Sequence, residues 1–146
     1  AAGFSEAVPW IDVPASAEQI NVAAQADDPQ SILAYYRALI SARHIVPALT
    51  DGTFTRIDAS APALFVYRRS APGSDVLVMV NLSGEHTTPL FSRQDEAVAS
   101  LPWRLYLGNT DMSFVETDDA GDRIQSEPTV ITPMRPWEAR VYLLAD

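Results

Sequence analysis

The side chains that most often act as nucleophiles and general bases are scarce in this chain of 146 residues. Its only histidines are His44 and His86, and it contains no cysteine. His44 falls at the end of a predicted helix and His86 in a predicted turn, so both are interpreted as ordinary polar residues. A Ser-His-acid triad needs its groups held together by the fold, and no Gly-x-Ser-x-Gly turn is present. Two histidines without cysteine also fall short of the ligands that a zinc site usually has.

Carboxylates are far more numerous, with 19 acidic residues. Asp118, Asp119 and Asp122 surround Gly121, and their oxygens could bind calcium, although their spacing differs from that of an EF-hand. A solvated hairpin tip is the interpretation we adopt, because Asp and Gly favour turns. Glycoside hydrolysis needs two carboxylates about 5–10 Å apart, and nothing in the sequence selects such a pair. The residues alone therefore assign no catalytic, substrate-binding or metal-binding residue and no cofactor.

Three tryptophans, Trp10, Trp103 and Trp137, could stack on sugar rings. Each stands beside a proline in an apolar stretch, which favours buried packing. The tripeptide Asn81-Leu82-Ser83 matches a glycosylation sequon, but it follows a predicted strand in a chain without a secretion signal, so we interpret the match as chance.

Composition describes a folded globular protein, with 47% hydrophobic and 20% charged residues. The net charge is −9, which disfavours binding to nucleic acids and to anionic membrane surfaces. The longest apolar run, residues 76–80, is too short to span a bilayer, and the first ten residues lack the features of a signal peptide. We therefore expect a cytoplasmic protein that binds neither nucleic acid nor membrane.

One helix is clearly predicted. Residues 1–28 show no sustained periodicity and are expected to form a loop that packs through Trp10, with one short turn near residues 18–24. Asp28 is the predicted N-cap and Pro29 the first helical residue, and the helix should extend to Ile45 before Pro47. Its apolar stripe consists of Ile32, Tyr36, Leu39 and Ile40.

After residue 50 the pattern changes to short alternating segments rich in branched and aromatic residues, which predict strands. The turn at residues 71–74, Ala-Pro-Gly-Ser, should close a hairpin. Short strands at this spacing indicate a mainly β fold, an antiparallel β-sandwich. The predicted strands are residues 53–58, 63–69, 76–82, 87–91, 103–107, 123–125, 129–131 and 138–144.

Four stretches of the chain resemble one protein family. Ala2-Gly3-Phe4, Pro9-Trp10-Ile11 and Ile20-Asn21-Val22 are similar to the "AGF", "PWI" and "INV" segments of α-glucosidases in glycoside hydrolase family thirteen, the α-amylase family, in its oligo-1,6-glucosidase and sucrose-isomerase branch. Residues 28–43 resemble its "DP.SIL..YR.LI.LR", residues 76–83 its "VLVVLNFS" and residues 135–142 its "RPWEARVY". Pro14 departs from the asparagine that the family usually has there.

The resemblance implies that the chain is the C-terminal part of such an enzyme. Residues 1–50 would be a leader loop and the last helix of a (β/α)8 barrel, and residues 51–146 the C-terminal β-sandwich domain. A full barrel needs about 250 residues, so the catalytic carboxylates would lie upstream, and none is carried over to this chain. The implied parent is a bacterial enzyme that hydrolyses α-glucosidic bonds of short oligosaccharides with retention, and the implied partner is the upstream barrel of the same polypeptide.

Two other functions remain open on the sequence. The chain could be a free-standing carbohydrate-binding module that uses Trp103 or Trp137 as its platform, or a non-catalytic α-amylase-like subunit. If it is instead a scaffold for a barrel, it should carry an apolar patch on its own surface, formed by the Ile32, Tyr36 and Leu39 stripe or by Trp10.

Overall fold

The structure, a computed structural model, describes residues 6–59, 61–92, 95–110, 116–117, 123–124, 130 and 132–145. The chain divides into two compact units, residues 1–37 and residues 38–146, and each is considered by itself. The helical segments in chain order are a 3-10 turn Ala15–Glu18, α1 Val22–Gln25, α2 Ile32–Ile45, α3 Pro47–Asp51 and α4 Glu96–Ala99. The strands are β1 Thr53–Ile57, β2 Leu64–Ala71, β3 Ser74–Asn81, β4 Trp103–Gly108, β5 Glu116–Thr117, β6 Arg123–Ile124 and β7 Ala139–Leu144.

Helix α2 begins three residues later than the sequence pattern predicts. The Ser31 hydroxyl accepts a hydrogen bond from the Ala34 amide at 3.1 Å, and the Ser31 carbonyl accepts one from the Tyr35 amide at 3.0 Å. The carboxylate of Asp28 instead accepts from the Gln30 amide at 2.9 Å, which closes a local turn before the helix. The predicted N-cap at Asp28 is therefore wrong, because Ser31 occupies that position.

A second side chain also satisfies the start of α2. The Gln25 side-chain oxygen accepts a hydrogen bond from the Leu33 amide at 3.0 Å, and the Ser31 hydroxyl lies 2.9 Å from the Gln25 carbonyl. The short turn expected near residues 18–24 is present as α1, whose N-cap is Asn21. The first amides of α2 thus find their acceptors in the preceding loop, which orients that loop against the helix.

Residues 38–146 are organised around an antiparallel sheet of five strands in the order β1-β2-β3-β7-β4. Strands β5 and β6 form a separate antiparallel pair. The mainly β antiparallel fold is confirmed. The turn between β2 and β3 is also as predicted: Ala71 pairs with Ser74, and Gly73 has φ 69°, which suits the third position of a type II turn after Pro72.

Both faces of this sheet are covered. Leu77 and Met79 of β3 point into a core cluster that includes Trp103 and Tyr142, whereas Val76 and Val78 point to the opposite face. There they pack with Val46, Ala48 and Val141, so the segment around α3 covers part of that face. Strand β3 is therefore buried on both sides and reads as a continuous apolar run.

The layer opposite β3 differs from the prediction. Residues 87–91 form no strand: Thr87 and Phe91 each make an isolated bridge, with Met134 and Ala59 respectively. Pro89 lies between them fully buried, and it has no amide hydrogen for a sheet ladder. Of predicted strand 129–131 the structure describes only Val130, a buried turn residue. Within the described residues, no helix is both long and apolar enough to cross a bilayer.

We expect Ser31→Ala to destabilise the start of α2 by about 1 kcal/mol, the usual effect of removing an N-cap. Asp28→Ala is the matched control and should cost less, because the Asp28 carboxylate contacts an amide outside the helix. Amide hydrogen exchange of Ala34 and Tyr35 reports the loss directly. Faster exchange at these two amides in Asp28→Ala than in Ser31→Ala would contradict the assignment.

Candidate functional site

The histidines lie where the sequence suggests. His44 is in the last turn of α2 and His86 follows β3, and both are exposed. Within the described part of the chain, no three His, Cys, Asp or Glu residues lie close enough together to hold a metal ion. Asp118, Asp119 and Asp122 fall outside the described residues, so the hairpin-tip interpretation stays a prediction.

The tryptophans divide into one core residue and two surface residues. Trp103 is 4% exposed, and its indole N–H donates to the Val98 carbonyl at 2.7 Å, so its predicted burial is confirmed. Trp10 is 95% exposed and Trp137 is 63% exposed, so the predicted burial of both is wrong. A neighbouring proline fixes the local backbone direction but does not decide which side of the chain meets the core.

The buried charged residues that the structure describes in residues 38–146 are Glu138 and Arg140, which form an ion pair. Both residues are buried. The Arg140 Nε lies 2.8 Å from Glu138 Oε1, and Nη2 lies 2.9 Å from Oε2, so the guanidinium binds the carboxylate with two parallel hydrogen bonds. Such bidentate, charge-assisted contacts are among the strongest hydrogen bonds in proteins.

The remaining hydrogen-bonding capacity of this pair is also used. The Arg135 amide donates to Glu138 Oε2 at 2.6 Å, and the Thr110 hydroxyl donates to Oε1 at 3.0 Å. Arg140 also donates to the carbonyls of Thr132 and Pro133, at 2.9 and 2.8 Å. A buried ion pair is tolerated only when its partners are satisfied in this way. The pair consequently fixes the segment before β7 to the strand itself.

The pKa of Glu138 is shifted in the direction opposite to that of a catalytic acid. Burial raises the pKa of Glu138, but the hydrogen bonds from Arg140 and from the Arg135 amide outweigh it, and the pKa ends below its usual range. A general acid in a glycosidase needs a raised pKa. Glu138 is also the only buried carboxylate among the described residues. It is therefore an ionised structural group.

Asn81 extends this network at the end of β3. It is fully buried, and its Nδ2 donates to the carbonyls of Glu85 and Arg135 at 2.7 and 2.9 Å. Its Oδ1 accepts from the amide and hydroxyl of Ser83. Both hydrogens of the amide nitrogen are engaged, which agrees with interpreting the sequon as chance.

Trp137 occupies an unusual turn on the surface of this network. Its φ is 57°, and it is the one non-glycine residue with positive φ in the described part of the chain. The Glu138 amide donates to the Arg135 carbonyl at 3.2 Å, with Pro136 second and Trp137 third in the turn. This is the pattern of a type II turn, whose third position normally holds glycine. A side chain there costs about 1–2 kcal/mol.

Long-range hydrogen bonds hold Trp137 in that conformation. Its amide donates to the Ser83 carbonyl at 3.0 Å, and its carbonyl accepts from Asn109 Nδ2 at 2.8 Å. The Asn109 Oδ1 in turn accepts from the Ala139 amide at 2.7 Å. Sequence reasoning missed this turn. Pro136 was the available signal, but an apolar aromatic residue at the third position pointed to the core instead.

A cleft of about 350 Å³ lies where the end of α2, the turn between β2 and β3, and the end of β7 meet. Its lining is mostly apolar, and its one charged side chain is Asp75. The Asp75 carboxylate already pairs with Arg68 at 2.7 Å. The cleft therefore presents no free charged group to a ligand.

Each unit also exposes apolar side chains. On α2 the side chains of Ile32 and Tyr36 are 70% and 61% exposed, and Ile40 is exposed as well. Of the expected patch, Ile32 and Tyr36 are exposed and Leu39 is half-buried, while the alternative, Trp10, is exposed. In residues 38–146, Phe54 and Phe65 are partly exposed on either side of Tyr67, with ring centroids 5.2 and 5.4 Å from it.

Similarity to known proteins identifies the family of this chain. Residues 1–52 match the family described as Alpha amylase, catalytic domain. The chain is 34% identical over 143 residues to oligo-1,6-glucosidase of Heyndrickxia coagulans, covering 98% of this chain and 22% of that protein. It is 31% identical to oligo-1,6-glucosidase of Parageobacillus thermoglucosidasius, covering 97% of this chain and 23% of that protein.

Among solved structures, the trehalulose synthase MutB from Pseudomonas mesoacidophila MX-45 is similar with a TM-score of 0.75 and 26% identity, covering 99% of this chain and 23% of that chain. The chain thus spans less than a quarter of the length of these relatives. These matches confirm the family: the chain is related to the α-amylase-family glycoside hydrolases. Within that family its relatives include oligo-1,6-glucosidases and trehalulose synthase MutB.

Replacing Trp137 should separate backbone strain from side-chain packing. We expect Trp137→Gly to be more stable than Trp137→Ala by about 1 kcal/mol, because glycine adopts positive φ without steric strain and alanine does not. Urea denaturation of both variants measures the difference. Equal stability of the two variants would show that the turn does not hold this conformation.

Glu138→Gln should lower the free energy of unfolding by about 3 kcal/mol at neutral pH, because it leaves the buried guanidinium of Arg140 without a counter-charge. The pKa of Glu138 is lower in the folded than in the unfolded chain. The contribution of Glu138 to the free energy of unfolding is therefore complete above pH 4.5, the ordinary pKa of a glutamate. It is lost as the pH falls through the lower pKa that Glu138 has in the folded chain.

The difference in free energy of unfolding between wild type and Glu138→Gln should accordingly become smaller at acidic pH. Urea denaturation at several pH values measures it. Glu85→Gln, at an exposed position, is the control and should have little effect. A difference that stays constant from neutral pH into acid would contradict the ionised state of Glu138.

Proposed function

We propose that this chain is a structural part of an α-glucosidase-type glycoside hydrolase that acts on short oligosaccharides, and that it carries none of the catalytic residues. The observation that supports this most directly is the similarity to oligo-1,6-glucosidases across 97–98% of the chain. In this proposal, residues 1–50 complete a (β/α)8 catalytic domain and residues 51–146 form the β domain that follows it.

The proposed reaction of the whole enzyme is hydrolysis with retention. One carboxylate attacks the anomeric carbon and forms a glycosyl-enzyme, while a second protonates the leaving oxygen and then activates water. The two groups must lie about 5 Å apart, and one needs a raised pKa. Glu138, the buried carboxylate among the described residues, lacks the raised pKa because it is held ionised by Arg140. The proposal therefore assigns both catalytic carboxylates to the upstream part of the enzyme.

The proposed partner is that upstream barrel of the same polypeptide. The exposed Ile32 and Tyr36 of α2 support this, because apolar side chains at helical spacing are normally covered by a neighbouring element. Burying them would contribute about 25 cal/mol for each Å² removed from water. The relatives come from bacteria, and we propose a cytoplasmic bacterial enzyme that binds neither nucleic acid nor membrane.

The chain of 146 residues should not hydrolyse a chromogenic α-glucoside, because the proposal assigns the required pair of carboxylates to the upstream part of the enzyme. The rate of release of the chromophore measures this, with oligo-1,6-glucosidase of Heyndrickxia coagulans as the positive control. Turnover that rises in proportion to the concentration of the purified chain would refute the proposal. The gene upstream of the Ala1 codon should encode a barrel with the nucleophile, the acid and a third, stabilising carboxylate.

A further inference from the structure

Trp137 combines three properties that are seldom found together. It is a bulky residue in a glycine conformation, with φ 57°. Its ring is 63% exposed, so burial within the chain offsets little of the backbone strain. Its backbone is nonetheless held by Ser83 and Asn109 through hydrogen bonds of 3.0 and 2.8 Å. Strain that is maintained at an exposed side chain is a feature of binding sites.

The turn also presents the ring rigidly. The residue that follows, Glu138, is fixed by Arg140, and the residue two positions before, Arg135, donates its amide to the same carboxylate. The backbone on both sides of Trp137 is thus tied to a buried ion pair. An aromatic ring that is fixed before binding loses little conformational entropy when a ligand stacks on it.

Among the described residues, the neighbours of the ring include a glycine and neutral polar residues. A Cβ atom at Gly84 would lie 3.8 Å from the indole Nε1, so the glycine keeps any side chain away from this edge. The indole N–H makes no hydrogen bond to the described residues and is free to donate to a ligand hydroxyl. Ser83 and Asn109 at the base of the turn are neutral, and their side chains already bond Asn81 and the backbone of Trp137 and Ala139, so the indole N–H is the donor that the turn offers to a ligand.

We propose that the Trp137 turn is a binding platform for one ring of a neutral glucose oligosaccharide. A pyranose has an apolar C–H face that stacks on an indole and hydroxyls at its edge that pair with neutral polar groups. The net charge of −9 disfavours phosphate-bearing ligands. The choice of glucose units rests on the proposed function, whereas the platform itself rests on the geometry of the turn.

Titration of the chain with maltotriose and with isomaltotriose tests the platform. We expect saturable binding in the millimolar range, seen by NMR as a shift of the Trp137 indole N–H resonance, while the resonances of Trp10 and Trp103 stay in place. Trp137→Gly keeps the turn without the ring and should weaken binding at least about tenfold, equivalent to about 1.4 kcal/mol. Trp10→Ala, which removes the other exposed indole, is the matched control and should leave the affinity unchanged.

Three results would overturn the platform: no shift of the Trp137 resonance with either trisaccharide, equal shifts of Trp10 and Trp137, or binding that survives in Trp137→Gly. A fourth test uses the whole enzyme with Trp137→Gly. If the β domain detaches from the catalytic domain and trisaccharide binding does not change, Trp137 is a contact between domains. That result would also overturn the platform. None of these results bears on the proposed function, which the turnover assay of the unmodified chain tests separately.

Discussion

The β domain depends on the buried ion pair of Glu138 and Arg140. Arg140 lies on β7, where it pairs with Met79 of β3 and with Gly108 of β4, so the charge sits in the interior of the five-stranded sheet. Removing two charges from water is unfavourable, and it is offset here because the carboxylate receives four hydrogen bonds and the guanidinium reaches two further carbonyls. Each of those partners must therefore stay in place.

This requirement explains the shape of the chain next to the pair. The Arg135 amide donates to the Glu138 carboxylate across the turn of residues 135–138, in which Trp137 adopts positive φ. The ring then points to solvent instead of the core. Asn81 and Asn109 complete the arrangement by holding the loops on either side. The exposed Trp137 thus lies in a turn whose two ends are both bonded to the buried carboxylate or belong to it.

The same ion pair also determines the chemical role of Glu138. A carboxylate with a lowered pKa that is bound by arginine cannot donate a proton near neutral pH, so Glu138 stabilises the fold and does not act as a glycosidase acid. The exposed apolar residues of α2 and of β1 and β2 fit a chain that supports other protein surface. In the proposed function, this chain contributes packing and the reacting carboxylates lie in another part of the enzyme.

The sequence by itself determined the features that depend on neighbouring residues. Alternating apolar residues predicted the strands of the main sheet, Pro72 and Gly73 predicted its hairpin turn, and the periodic stripe predicted α2, because these patterns are local. Tertiary structure decided the rest. Ser31 replaced Asp28 as the helix cap because Gln25 and Ser31 bring the loop to the helix start, and residues 87–91 formed bridges because Pro89 is buried between distant partners. The exposure of Trp137 follows from contacts with Ser83 and Asn109, residues far away in the chain, which no local pattern contains.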